Sequence, residues 1–116
     1  RNVYTTRLLH LKGRKNVRIR TVPCVRGSLN DGDVFILDAG FTVFVWNGKE
    51  ASRQEKMKAT HVAQNIKDRE RGGQARIVLL DEDDVDHAKD WVTFWELLGG
   101  KGPVAPAVDD DVEVQP

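Results

Sequence analysis

Apolar residues recur along this chain at two spacings, and the changes between them divide it into strands and helices. RLLHLK (7–12) and the alternating VRIRTV (17–22) flank Gly13-Arg14-Lys15-Asn16, a turn composition, so they predict a hairpin of two strands that Pro23 ends. VRIRTV reads as half-buried by its alternation. The unbroken run VFILD (34–38) predicts a central strand, Ala39-Gly40 turns the chain, and FTVFVW (41–46) follows it up to a second turn at Asn47-Gly48. The period then lengthens. Ser52-Arg53-Gln54-Glu55 matches a capping box, and Ala59, Val62, Ala63 and Ile66 share one face of the helix it starts. Arg69-Glu70-Arg71 closes that helix and Gly72-Gly73 stops it. ARIVLL (75–80) is a further strand. DEDDVD (81–86) is a loop whose acids suit a helix start, and Ala88, Trp91, Val92, Trp95 and Leu98 form one face of a shorter helix before Gly99-Gly100. The order β-β-β-β-α-β-α places few helices late in the chain. That is an α+β fold, with about five strands and a helix on each face, the alanine-rich one on one side and the tryptophan-rich one on the other.

The remainder, KGPVAPAVDDDVEVQP, holds three of the four prolines and a block of acids. It reads as a linker or a docked extended segment, which gives a domain over 1–99 and an acidic tail over 100–116.

Charge changes the picture more than composition does. The net charge is zero, but residues 1–26 carry eight Lys/Arg and no acid, whereas residues 81–116 carry eleven acids and two bases. A basic surface for an anionic partner and a solvated, cation-binding or inhibitory acidic segment is one reading; pairing of the two ends within the fold is the other. At 116 residues and 40% hydrophobic, the chain suits one domain with one core. Cys24 is the single cysteine, so no internal disulfide or zinc cluster is expected. No apolar run approaches the roughly 18–20 residues of a membrane helix, and a soluble, cytosolic setting is the expectation.

Two carboxylates draw attention. Asp33 follows Gly32 at the start of the apolar strand in LNDGDVFILDAG, and Glu55 falls on the apolar side of the first turn of the long helix, where a bare carboxylate is costly. Glu55 is either the third residue of the capping box alone, or it points at Asp33 to form an oxygen-rich pocket suited to Ca²⁺, with Asp33 otherwise a solvated turn residue. Gly32 would let a backbone carbonyl approach such a ligand. The spacing is not that of a twelve-residue EF-hand loop.

At these residues the chain resembles the gelsolin-homology repeat of the gelsolin, villin and severin family, and more narrowly the second repeat. The matching text is RLLHLKGRK (7–15), VP (22–23), LNDGDVFILDAG (29–40), VWNGKEASRQEKMKA (45–59), RERGG (69–73) and FWELLGGKG (94–102), the last resembling the severin and fragmin branch. The resemblance implies a mixed, roughly five-stranded sheet between one long and one short helix. It implies a Ca²⁺ site from the Gly32 carbonyl, Asp33 and a bidentate Glu55, completed by an acid of the following linker, Asp109 or Asp110, with Asp110 preferred. It implies binding to the side of an actin filament and to phosphoinositides, through the basic segment holding Arg7, Lys12, Arg14 and Lys15, with Lys56 and Lys58 as second candidates for filament contact. Adjacent repeats in a parent chain and a cytoplasmic, cytoskeletal location follow. A disulfide of the secreted form would join the positions of Val34 and Asn47, which cannot form one here.

The leading expectation is therefore a calcium-regulated actin-binding repeat of a severing or capping protein that binds filament sides without severing alone. The alternatives are a phosphoinositide-dependent membrane-surface module and a spacer whose metal site only stabilises the fold. No enzyme is expected: His10, His61 and His87 show no ligand or catalytic spacing, and no nucleophile arrangement stands out. The few aromatics among the basic residues argue against nucleic acid.

Overall fold

A computed structural model describes residues 5–13, 16–81 and 88–106 of the chain. Its elements are β1 (Arg7–Lys12), β2 (Arg18–Val22), β3 (Val34–Asp38), β4 (Thr42–Asn47), α1 (Arg53–Asn65), β5 (Arg76–Leu80) and α2 (Ala88–Leu97). A short 3₁₀ turn at Arg26–Ser28 and a π turn at Ile66–Glu70 extend the loop before β3 and the end of α1. The strands form one mixed sheet in the order β2-β1-β3-β4-β5. The first three pairings are antiparallel and β4–β5 is parallel, because α1 lies between those two strands in sequence and forms their crossover.

The two sheet faces bury separate cores. Leu9, Leu11, Val34, Ile36, Val43 and Val45 meet Ala59, Ala63 and Ile66 of α1 and its extension. Leu8, Phe35, Leu37, Phe44 and Trp46 meet Phe94 and Leu98 at α2. β3, flanked on both sides and covered on both faces, is buried at every position, as its unbroken apolarity requires. Val34 lies opposite Asn47 in the β3–β4 register, so the two positions the resemblance links are neighbours.

Two details differ from the pattern. β2 is an edge strand exposed from Arg18 to Thr21, because α1 and α2 lie over the middle of the sheet. On α2 the fully buried residue is Phe94, with Trp91 and Trp95 half-buried beside it, while Val92 and Ala88 are exposed. The rings explain the choice: Phe94 meets Phe44 edge-on at a centroid distance of 5.8 Å and Trp91 at 6.0 Å.

The chain after α2 folds back along the domain. The Arg26 N–H donates to the Leu98 carbonyl at 3.1 Å, and its guanidinium donates to the carbonyl of Gly100 at 3.3 Å. Val104 packs on the α2-side core. Ala105 bridges in parallel to Asn30, and its carbonyl accepts from the Asp31 N–H at 3.0 Å. The described part of the segment read as linker or docked is thus docked, with Ala105 against Asn30 and Asp31, the residues just before Gly32-Asp33.

Candidate functional site

The loop into β3 is held by its own side chains. Asn30 Oδ1 accepts from the Gly32 N–H at 2.8 Å, which closes an Asx turn. Gly32 is not among the residues with positive φ, so this turn does not depend on a left-handed glycine. The glycine the loop does need is Gly48. Its N–H donates to the Asp33 carbonyl at 3.0 Å, and a Cβ there would meet the Asp31 carbonyl oxygen at 2.5 Å and that of Asp33 at 2.7 Å. The turn after β4 therefore lies flat against the backbone that presents Asp33.

Asp33 is no solvated edge; it is only 5% exposed. Its Oδ2 receives His10 Nε2 of β1 at 2.8 Å and Asn30 Nδ2 at 3.2 Å. Glu55, 3% exposed, sits against it. Both arms of the capping box are present: Ser52 Oγ accepts from the Glu55 N–H at 3.1 Å, and Glu55 Oε1 accepts from the Ser52 N–H at 2.8 Å. Glu55 Oε2 accepts from the Gly13 N–H at 2.9 Å, and Ser52 Oγ donates to the Gly13 carbonyl at 3.2 Å. The two readings of Glu55 are thus compatible: it caps α1 and also faces Asp33.

The electrostatics divide the pair. Burial pushes the Glu55 carboxyl up and Asp33 adds to that, against the opposing Ser52 and Gly13 N–H groups. Burial also works to raise Asp33, but hydrogen bonds from His10, Asn30 and Glu55 outweigh it and hold Asp33 below the usual carboxylate range. Without a cation the pair therefore favours an ionised Asp33 beside a Glu55 that holds its proton more tightly than usual. Chemically, the place is a hard-oxygen pocket in which nearby positive charge would favour ionisation of Glu55. Among the described residues, no three His, Cys, Asp or Glu side chains group with metal-holding geometry, so the two carboxylates need further oxygens to hold an ion.

The basic candidates scatter. Arg7 Nε pairs with Asp38 at 2.9 Å and its Nη2 with Glu70 at 3.0 Å, so this residue, a candidate for an outside anion, is engaged within the fold. Lys12 is half-buried opposite Arg18 of β2. Lys56 and Lys58 are exposed on α1, on either side of Met57, which is 58% exposed. Arg14, Lys15, Asp109 and Asp110 lie outside the described residues. Sequence reasoning missed His10, Asn30 and the buried pair of Arg71 Nη2 with Asp38 at 2.7 Å. The Asn30-x-Gly turn composition was a usable signal for Asn30. For His10 the signal was its alternation with Leu9 and Leu11, which puts it on the face opposite theirs.

The gelsolin repeat model matches residues 15–85. The chain belongs to the gelsolin repeat family. This gelsolin repeat is 45% identical over 94 residues to protovillin of Dictyostelium discoideum, across 81% of this chain and 10% of that protein. It is 37% identical over 114 residues to villin-2 of Arabidopsis thaliana, across 98% of this chain and 12% of that protein. The chain thus spans about a tenth of the length of these curated relatives. Its fold matches a chain in the crystal structure of the Thorarchaeota 2DGel3/rabbit actin complex with a TM-score of 0.64 and 27% identity, over 72% of this chain and 43% of that one. No helix among the described residues is long and apolar enough to cross a membrane.

Proposed function

We propose that this gelsolin repeat is a calcium-regulated binding module for the side of an actin filament, working as one part of a longer severing or capping protein. The observation that carries the calcium half is the burial of Asp33 and Glu55 against each other, with Glu55 pushed up. Such a pair is costly to ionise alone and is relieved by a hard cation. Gly32 through its carbonyl, Asp33 and Glu55 would hold the ion. Asp109 or Asp110, with Asp110 preferred, would complete it. Ala105 lies against Asp31, and the four residues from there to Asp109 span at most about 14 Å. When bound, Ca²⁺ would supply positive charge that favours the ionised form of both carboxylates. The chain's own groups then fix the start of α1 to the start of β3 and to the following chain, which sets how this repeat sits beside its neighbours.

The actin half rests on family membership, on the solved complex with actin among its structural neighbours, and on the exposed Lys56-Met57-Lys58 segment of α1. Cations around an exposed apolar side chain fit the acidic, partly apolar surface expected of such a partner. Arg14 and Lys15, between β1 and β2 in sequence, are the further candidates. Arg18 and Arg20, exposed on the edge strand that follows them in sequence, favour phosphoinositide binding as a second activity of the same hairpin.

The test is calorimetric titration of calcium into the wild type and Glu55→Gln, followed by filament co-sedimentation with and without calcium. Binding by the wild type alone, with co-sedimentation raised by calcium, is the expected result. Equal calcium binding by both proteins would sink the site. Salt-dependent binding to phosphoinositide vesicles, lost on Arg14→Ala with Lys15→Ala, checks the second activity.

A further inference from the structure

His10 stands in β1 across from Phe35 of β3. Its ring lies flat on the Phe35 ring, with centroids 4.5 Å apart and planes 5° from parallel, and Phe35 in turn leans on Trp46 at 5.9 Å. His10 is 8% exposed. From that fixed seat Nε2 reaches two residues back along β3 to Asp33 Oδ2 at 2.8 Å. Asn30 Nδ2 converges on the same oxygen at 3.2 Å, and neither donor engages Oδ1. The His10 and Asn30 bonds thus both fall on Oδ2 and fix the rotation of the carboxylate, while Glu55 sits against the same group.

Resting on the calcium reading above, we infer that His10 is a positioning residue for that site: it presents Asp33 as a one-oxygen ligand and ties the site to β1. The tie has a second strand. Gly13, at the end of β1, donates its N–H to Glu55 Oε2. Both carboxylates are thus gripped by donors from the same end of the same strand, three residues apart. His10 touches no ion in this arrangement. It works through Asp33, as a second ring of hydrogen bonds around metal ligands commonly does.

A histidine in a core could instead be packing alone, and two substitutions separate the cases. His10→Phe keeps a flat ring on Phe35 and removes the donor. His10→Gln shortens the stack and keeps an N–H that can reach Asp33. Calcium is titrated calorimetrically into the full chain and both variants, with thermal melts in chelator and in excess calcium. The expected result is about 10- to 100-fold weaker calcium binding for His10→Phe, with most of the affinity recovered in His10→Gln. His10→Phe is also expected to melt at a smaller calcium-induced shift, while its melting in chelator shows that it folds. Wild-type affinity in His10→Phe would overturn the inference and leave the calcium site intact. Equal losses in both variants would overturn it too, since packing would then be the cause. Absence of calcium binding by the wild type would overturn the calcium reading and this inference with it.

Discussion

Glu55 gives one carboxyl oxygen to the cap of α1 and the other to Gly13, while burial and Asp33 push its carboxyl up. A carboxyl raised in the folded state favours folding while protonated. In chelator, its contribution is fully present below the ordinary glutamate value and is lost as pH rises through its raised value. Asp33, held low, acts in the opposite sense: its contribution is present above the ordinary aspartate value and is lost as pH falls through its lowered one. Calcium affinity should accordingly climb with pH through the raised Glu55 value and then level off. Titrations at several pH values in buffers of different ionisation enthalpy should show protons released on binding. An affinity flat with pH from the ordinary glutamate value to neutrality would contradict the assignment. Ser52→Ala removes an acceptor for the Glu55 N–H and a donor to Gly13, and should cost about 1–2 kcal/mol in urea unfolding.

The elements were largely legible. The strand and helix order, the capping box, the sheet-centre position of VFILD and the helix on each face all follow from the apolar periods, and they hold because local preference and burial agree there. What periodicity misjudged was which positions of α2 face inward. Six apolar positions on a ten-residue helix allow the face to rotate, and ring packing settled it on Phe94. Phe94→Ala should cost about 3–5 kcal/mol and Val92→Ala less than about 1 kcal/mol, measured by denaturant unfolding. The contacts of Asp38 left no signal in the apolar pattern. Asp38 takes Arg71 from 33 positions away, and Arg7 joins it. Asp38 has no exposure, so Asp38→Asn leaves a buried guanidinium short of charge and should destabilise by about 3–5 kcal/mol. The same network shows why the basic N-terminal stretch could not be read as one surface: Arg7 is spent inside the fold, whereas Arg18 and Arg20 on β2 are exposed.

At the scale of the whole molecule, the candidate site gathers pieces from β1, the loop before β3, the start of α1 and the returning chain. Sequence order could suggest Asp33 with Glu55 but not the arrival of Ala105 beside Asp31, because that contact is a single bridge between two segments without regular structure. A chain ending at Gly102 loses Val104 from the core and the Ala105 bridge, along with the acids beyond. It should bind calcium more weakly than the full chain while keeping the sheet, as read by calorimetry with far-ultraviolet circular dichroism. The full domain alone should co-sediment with filaments and leave their length distribution unchanged.

Arg26 holds the returning chain at Gly100, and Asp31 holds it again at Ala105. Any tension on the chain beyond Pro106 is therefore delivered first to the loop that carries Asp33, before it reaches a strand of the sheet. The domain's exit is thus anchored on the loop that leads into Asp33. Under a mechanical load the stretch from Gly100 to Pro106 should peel off at low force as a separate step, and a cation that also gripped the following acids would raise that force.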